Sequence, residues 1–244
     1  MWGTIRHGVV RLWPGYRRGR IRRAEAQART REEATRAFDG EHGVETGGYI
    51  PGEQLKLDAM RRRHATAYEA ILPHEFHAMM SAAGPVASGR TFVDLGCGKG
   101  RPLLLATSHP FVRIVGVEFS DDLAQRARQN AVAFRGDSGD SPARPEIRVV
   151  TLDAAEFEFP AGPLVVFLFD PFREPVMERV VANLTRAMER EARPVTVVYA
   201  NSRHAALFER VPFPVRVVHG RPTVDGEAGY SAWTIFHFDP APPP

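Results

Sequence analysis

Cysteine is nearly absent from this chain. Of its 244 residues only Cys97 is one, which excludes an internal disulfide framework and any zinc site built from clustered thiolates. Long hydrophobic runs are missing too: apolar stretches such as LVVFLF at 164–169 fall far short of the ~18 to 20 residues a membrane span requires. No leading apolar segment ends in a small-residue cleavage site, so a soluble, cytoplasmic protein is the expectation. Lysine is scarce as well. Thirty of the 32 basic residues are arginine, a bias that reads as GC-rich coding rather than as selection at thirty sites. There is no internal repeat, no G-x-x-x-x-G-K-[ST] phosphate loop and no H-E-x-x-H zinc pattern.

The charge that is present lies unevenly. Residues 1–36 hold ten arginines against Glu25, Glu32 and Glu33, a net of +7, which leaves −4 for the remainder of a chain whose total is +3. Trp2, Trp13 and Tyr16 among these arginines suit nucleic acid or an anionic surface. Against that, RRAEAQARTREEATRAF is alanine-rich and sets Glu25 before Arg29 and Glu32 before Arg36, the i,i+4 pairs of an ordinary solvated helix. The solvated helix is the preferred reading, with nucleic acid the alternative partner. Residues 39–54 are glycine-rich and follow neither period. From Leu57 the apolar positions Met60, Ala67, Tyr68, Ile71 and Leu72 follow helical spacing, and Pro73 breaks into a second short helix that stops near Gly84. His74 and His77 on that helix read as surface or packing residues, not metal ligands.

From Thr91 onward strands and helices alternate. Strands are predicted at 91–95, 112–118, 146–151, 164–170, 194–200, 213–219 and 230–238, and helices near 101–108, 121–133, 174–191 and 203–210. Such alternation demands a mostly parallel sheet covered on both faces. The last two strands have no helix between them and should form an antiparallel hairpin at one edge. Residues 135–145 read as a polar surface loop.

The stretch TFVDLGCGKGRPLLLA, 91–106, runs from a strand through glycines at 96, 98 and 100 into a helix. Such a turn brings bare backbone and unpaired helix N–H groups to a ligand. The dinucleotide fingerprint needs its third glycine at 101, where Arg101 stands, so NAD and FAD drop behind another nucleoside cofactor. Asp94, Glu118, Asp153 and Asp170 all fall at or just beyond strand C-termini, the edge where open α/β sheets bind ligands. Glu118, roughly 20 residues beyond the glycine turn, stands where a carboxylate accepts ribose hydroxyls.

As a set, VDLGCGKG, VGVEFS, TLDAAEF and VFLFDPF resemble the motifs of class I S-adenosyl-L-methionine-dependent methyltransferases, over residues 91–238. GVETGG, Tyr68 and LFDPF extend the likeness to a bacterial group of undefined substrate. The resemblance implies an α/β fold with a seven-stranded Rossmann-like, mostly parallel sheet, an antiparallel terminal hairpin and an N-terminal helical cap. It divides the chain into a basic arm and helical cap (1–86), a methyltransferase domain (87–239) and a disordered tail (240–244).

Site roles follow from the same resemblance. Thr46, Asp94, Gly96, Gly98, Gly100, Glu118, Phe119, Asp153 and Ala154 would hold the cofactor, whose product is S-adenosyl-L-homocysteine. DPF at 170–172 is similar to the Asp/Asn-Pro-Pro-aromatic motif of amino-group methyltransferases, with one proline missing. It implies Asp170 as the catalytic residue orienting an amine, and Pro171, Phe172, Tyr49 and Tyr68 as substrate contacts. The implied activity is N-methylation of a small-molecule or peptide acceptor, with no metal. The alternatives are a nucleic-acid or protein-lysine methyltransferase docking through the basic arm, and a non-catalytic cofactor-binding partner protein.

Overall fold

A computed structural model describes residues 14–57, 63–85, 88–134, 145–221, 223–224, 227–228 and 231–239, and for 14–27, 223–224 and 227–228 the backbone alone. Trp2, Trp13, Met60, most of the 135–145 loop and the 240–244 tail lie outside the described residues, as do the side chains of Tyr16 and Glu25.

Every residue of strand β3 (Thr91–Leu95) is buried, as expected of a strand covered on both faces. Its side chains split between two cores. Val93 and Leu95 join a cluster with Met177, Val180 and Leu184, while Phe92 joins Phe76, Met79, Leu103 and Leu104 on the opposite face. On either side of β3 lie β4 (Arg113–Glu118) and β6 (Leu164–Phe169), both parallel to it; β5 (Ile147–Thr151) and β7 (Val195–Ala200) extend the parallel array outward. The sheet order is β5-β4-β3-β6-β7-β11-β8. β8 (Val215–Gly220) and β11 (Trp233–Phe238) pair antiparallel, as predicted, and β11 lies between β7 and β8, antiparallel to both. All six of its residues are buried, whereas none of β8 is, as suits an edge strand. A two-residue ribbon, β9 (Thr223–Val224) with β10 (Glu227–Ala228), stands in the connection.

The helices fall where the periodicity places them. α4 (Asp121–Ala133) opens on Ser120, whose hydroxyl accepts the Leu123 N–H, with Asp121 and Asp122 in the first turn complementing the helix dipole. α5 (Glu174–Arg190) buries Met177, Val180, Val181, Leu184, Ala187 and Met188, one stripe at three- and four-residue spacing. α3 (Arg101–Ala106) is buried throughout, and α6 is a single turn, Ala206–Glu209.

The N-terminal region differs in one respect. α1 (Pro14–His42) and α2 (Pro73–Ala82) are helical, but no helix occupies 63–72. There β2 (Tyr68–Glu69) pairs antiparallel with β1 (Tyr49–Ile50), and Ala65 forms a lone antiparallel bridge with Phe172. Of the apolar residues that suggested a helix, Ile71 and Leu72 are buried and Ala67 and Tyr68 half-buried, all in an extended strap. Tertiary strand pairing has overridden the local period.

Candidate active site

The C-terminal edge of β3 turns directly into the glycine loop. Gly96 and Cys97 donate their N–H groups to Val117 O at 2.8 and 3.0 Å, tying the loop to β4. Gly96 and Gly98 have φ of 81° and 55°, and both also permit close approach of protein. A Cβ on Gly96 would lie 2.5 Å from Pro171, and one on Gly98 2.3 Å from the Tyr68 ring. The glycines thus let the DPF turn and the strap settle on the loop.

The cavity above the loop is lined by the loop itself, Asp94, Glu118, Phe119, Tyr68, Pro171 and Phe172 among others. Only about 60 Å³ of free space remains inside, because strap residues 66–71 lie across it. Glu118 is 4% exposed, and its two oxygens accept from Gly98 N at 2.8 Å and Ser120 N at 2.9 Å. Burial raises its pKa, and the backbone N–H donors oppose the rise. Asp94 is more extreme: it is 1% exposed, and its Oδ2 has no hydrogen-bond partner. Burial first, and the Glu118 charge second, push its carboxyl well above the usual range.

Behind this cavity sits a polar cluster centred on Arg101, itself 1% exposed. Its guanidinium meets Asp39 Oδ1 at 3.1 Å, Thr46 Oγ at 2.6 Å and Ile71 O at 3.2 Å, and stacks over Phe38. Asp39 in turn accepts the N–H groups of Thr46 and Gly47 at 2.9 and 2.7 Å. Tyr68 donates its hydroxyl to Thr46 O, and Lys99 donates to Gly47 O at 2.7 Å. The GVETGG loop is therefore riveted to the glycine loop. Arg31, on α1, pairs with the wholly buried Glu75 at 3.3 Å and with Glu69 at 2.7 Å.

On the other side stands the DPF turn. Asp170 takes a left-handed backbone, φ 43°, unusual for a residue with a side chain. Its N–H donates to Ala200 O at 3.2 Å, while Thr66 Oγ lies 2.9 Å from Asp170 O and 3.0 Å from Pro171 O. One carboxylate oxygen pairs with Arg203, and the other is buried without a partner. Burial raises the Asp170 pKa, and Arg203 partly offsets this. The nearby Tyr199 hydroxyl, also buried and unpartnered, is pushed up to about 12, chiefly by burial.

The predicted site residues divide into three groups. Asp94, Gly96, Gly98, Glu118, Phe119, Tyr68, Pro171 and Phe172 meet at one cavity. Asp170 and Tyr49 stand outside it, Asp170 facing Arg203 and Tyr49 lining a second cavity together with Phe172. The remainder serve the walls. Thr46 is wholly buried in the Arg101 cluster, Gly100 starts α3, and Asp153 accepts the Ala155 N–H at the head of a short 3-10 turn that contains the buried Ala154. Sequence reasoning missed Arg101 and Asp39, and treated Arg101 only as the missing third glycine. The available signal was a lone arginine opening an otherwise apolar helix, which must find a buried partner.

Residues 92–191 match the family model described as a methyltransferase domain. Among solved structures, the chain is similar to a TehB-like SAM-dependent methyltransferase from Corynebacterium glutamicum, at 18% identity over 71% of this chain and 90% of that one, with a TM-score of 0.43. It is also similar to the magnesium protoporphyrin IX methyltransferase of Synechocystis PCC 6803, at 16% identity over 68% of this chain and 80% of that one, with a TM-score of 0.42. The N-methyltransferase NodS from Bradyrhizobium japonicum matches at 13% identity over 68% and 94% respectively, with a TM-score of 0.44.

Proposed function

We propose that the chain is a class I S-adenosylmethionine-dependent methyltransferase that methylates an amine nitrogen of a small molecule or peptide, a reading supported by the methyltransferase-domain match over residues 92–191 and by the glycine loop and buried carboxylates that line the cavity at the sheet's C-terminal edge.

The cavity suits the cofactor on chemical grounds. Asp94 Oδ2 is a buried acceptor lacking a donor, beside the bare backbone of Gly96 and Gly98, which fits an ammonium-bearing methionyl group. Glu118 keeps lone pairs beyond those held by Gly98 and Ser120, enough to accept from a ribose, and Phe119 offers its ring to the base. Bound S-adenosylmethionine supplies a methyl group on a sulfonium, activated for displacement. The residues of this chain then need to position the acceptor and exclude water.

The observation that carries the amine reading is Asp170, strained at φ 43° with one buried carboxylate oxygen lacking a partner. Such an oxygen can accept an amine N–H and hold the nitrogen lone pair toward the methyl group. Its raised pKa makes it a better proton acceptor than an ordinary carboxylate. Pro171 and Phe172, which follow it in the chain, line the cofactor cavity, and Phe172 offers packing to the acceptor. Asp170→Ala should lower turnover of an amine acceptor by about 10² to 10⁴, with cofactor affinity held within a few-fold. Asp170→Asn should be milder, since the amide oxygen still accepts a hydrogen bond. In wild type the acid limb of the pH–rate profile should lie above the position of an ordinary aspartate, because only the deprotonated carboxylate accepts the proton, and in the Asn variant that limb should disappear. Equal turnover in wild type and Asp170→Ala, with cofactor bound in both, would overturn the reading.

A further inference from the structure

Outside the strap lies a second cavity, of about 380 Å³, which shares Thr66, Ala67 and Phe172 with the cofactor cavity. Those three residues form the partition between the two spaces. The outer cavity therefore adjoins the cofactor cavity, the placement that an acceptor site needs.

The wall chemistry of the outer cavity is specific. Arg173, Arg203, His204 and Glu53 are among its lining residues. Arg173 is also the residue that precedes the first turn of α5, with no side-chain cap at that end. A guanidinium beside a helix N-terminus adds positive charge where the dipole is already positive, an unfavourable placement unless an anion joins it. The neighbouring acid, Glu174, is exposed and does not line the cavity. The turn is held in place by the Arg173 N–H donating to His64 O at 3.3 Å, so the arginine is presented from a fixed backbone.

The charges also balance in a way that an incoming ligand disturbs. Arg203 is paired with Asp170, the group assigned above to the acceptor amine. Arg203 holds one Asp170 oxygen and the amine is assigned the other, so Arg173 and Arg203 are matched by Asp170 and Glu53. A simple cationic amine adds a positive charge that this balance leaves unmatched. An amine that also carries an oxyanion neutralises it, through charge-assisted bonds that arginine forms well in bidentate geometry. We propose that the acceptor is an amine bearing a carboxylate or phosphate, its anionic group docked between Arg173, Arg203 and the start of α5.

This rests on the amine reading above, and the test separates the two. Three matched series would be assayed with labelled cofactor: straight-chain amino carboxylic acids, aminoalkyl phosphates and plain alkylamines of the same lengths. One acid-bearing series should exceed the alkylamines in kcat/KM by at least tenfold, and which series wins decides between carboxylate and phosphate. Arg173→Gln should reduce that preference tenfold or more, mainly through KM, and its affinity for S-adenosylhomocysteine serves as the folding control. Binding of alkyl carboxylates and alkyl phosphates without an amine would be measured in parallel by calorimetry on the product-bound protein. Binding that Arg173→Gln abolishes supports the oxyanion site even where no amine is methylated, an outcome that sinks only the amine reading. Alkylamines used as well as their acid-bearing counterparts, or a preference and acid binding unchanged in Arg173→Gln, would overturn the proposal.

Discussion

At the scale of single residues the most consequential group is Asp94, a carboxylate buried beside another carboxylate with an oxygen left unbonded. Its pKa is higher folded than unfolded, so the native state binds the proton more tightly. The destabilisation is therefore fully present above the native pKa and is relieved as pH falls through it. Asp94→Asn removes the charge and should raise the Tm of the cofactor-free protein at pH 8. The gain should shrink as the pH is lowered through the raised pKa, and cofactor affinity should fall. Thermal melts across a pH series read this directly, and a lower Tm at pH 8 would contradict it. The stability given up at Asp94 belongs to the binding site, the trade expected where function needs an unsatisfied group.

Among elements, the C-terminal half of α1 and the strap are what hold the cap to the sheet. Arg31 and Thr35 reach Glu75, Ala70 O and Arg101 from α1. Deleting residues 1–36 takes both away and strips a cation from a wholly buried glutamate, at a cost of about 3 kcal/mol. For a chain of this length that corresponds to a fall in Tm of roughly 6 to 12 °C, measurable by differential scanning fluorimetry. An unchanged Tm would mean that α1 is dispensable to the fold. This coupling was not legible in the sequence, where the arginine-rich start reads as a solvated helix, because charge pattern reveals pairs within a helix but not partners forty residues away. The same limit explains the strap. Ala67, Tyr68, Ile71 and Leu72 keep a helical period, yet Ala65 bridges Phe172 and Tyr68 pairs with Ile50, contacts that depend on a sheet not yet built when the period is read. The strands and α4 and α5 were legible because their burial follows their own sequence. The glycine loop and the acids at strand ends were legible because the sheet edge collects them. Arg101 was not, since its meaning lies in Asp39 and Thr46.

For the molecule as a whole, ligand binding should report on the integrity of cap, loop and sheet together. S-adenosylhomocysteine at one hundred times its Kd should add about 2.7 kcal/mol of stability. At this chain length that is a rise in Tm of roughly 5 to 11 °C. NAD at the same concentration should leave Tm unchanged, because Arg101 fills the position where a dinucleotide turn needs its third glycine. Stabilisation by NAD and none by S-adenosylhomocysteine would refute the cofactor assignment.

The position of β11 imposes an order in time. β8 is made before β11, yet among the described residues its only neighbour in the sheet is β11. During synthesis β8 therefore emerges with nothing to pair with, and the outer backbone of β7 stays open until residues 233–238 arrive to fill the gap between them. An open strand edge is a template for pairing with other chains. The nascent protein is thus most exposed to misassembly between the appearance of Val215 and that of Phe238, and a ribosome stalled in that interval would present an adhesive partial sheet carrying all five of its parallel strands.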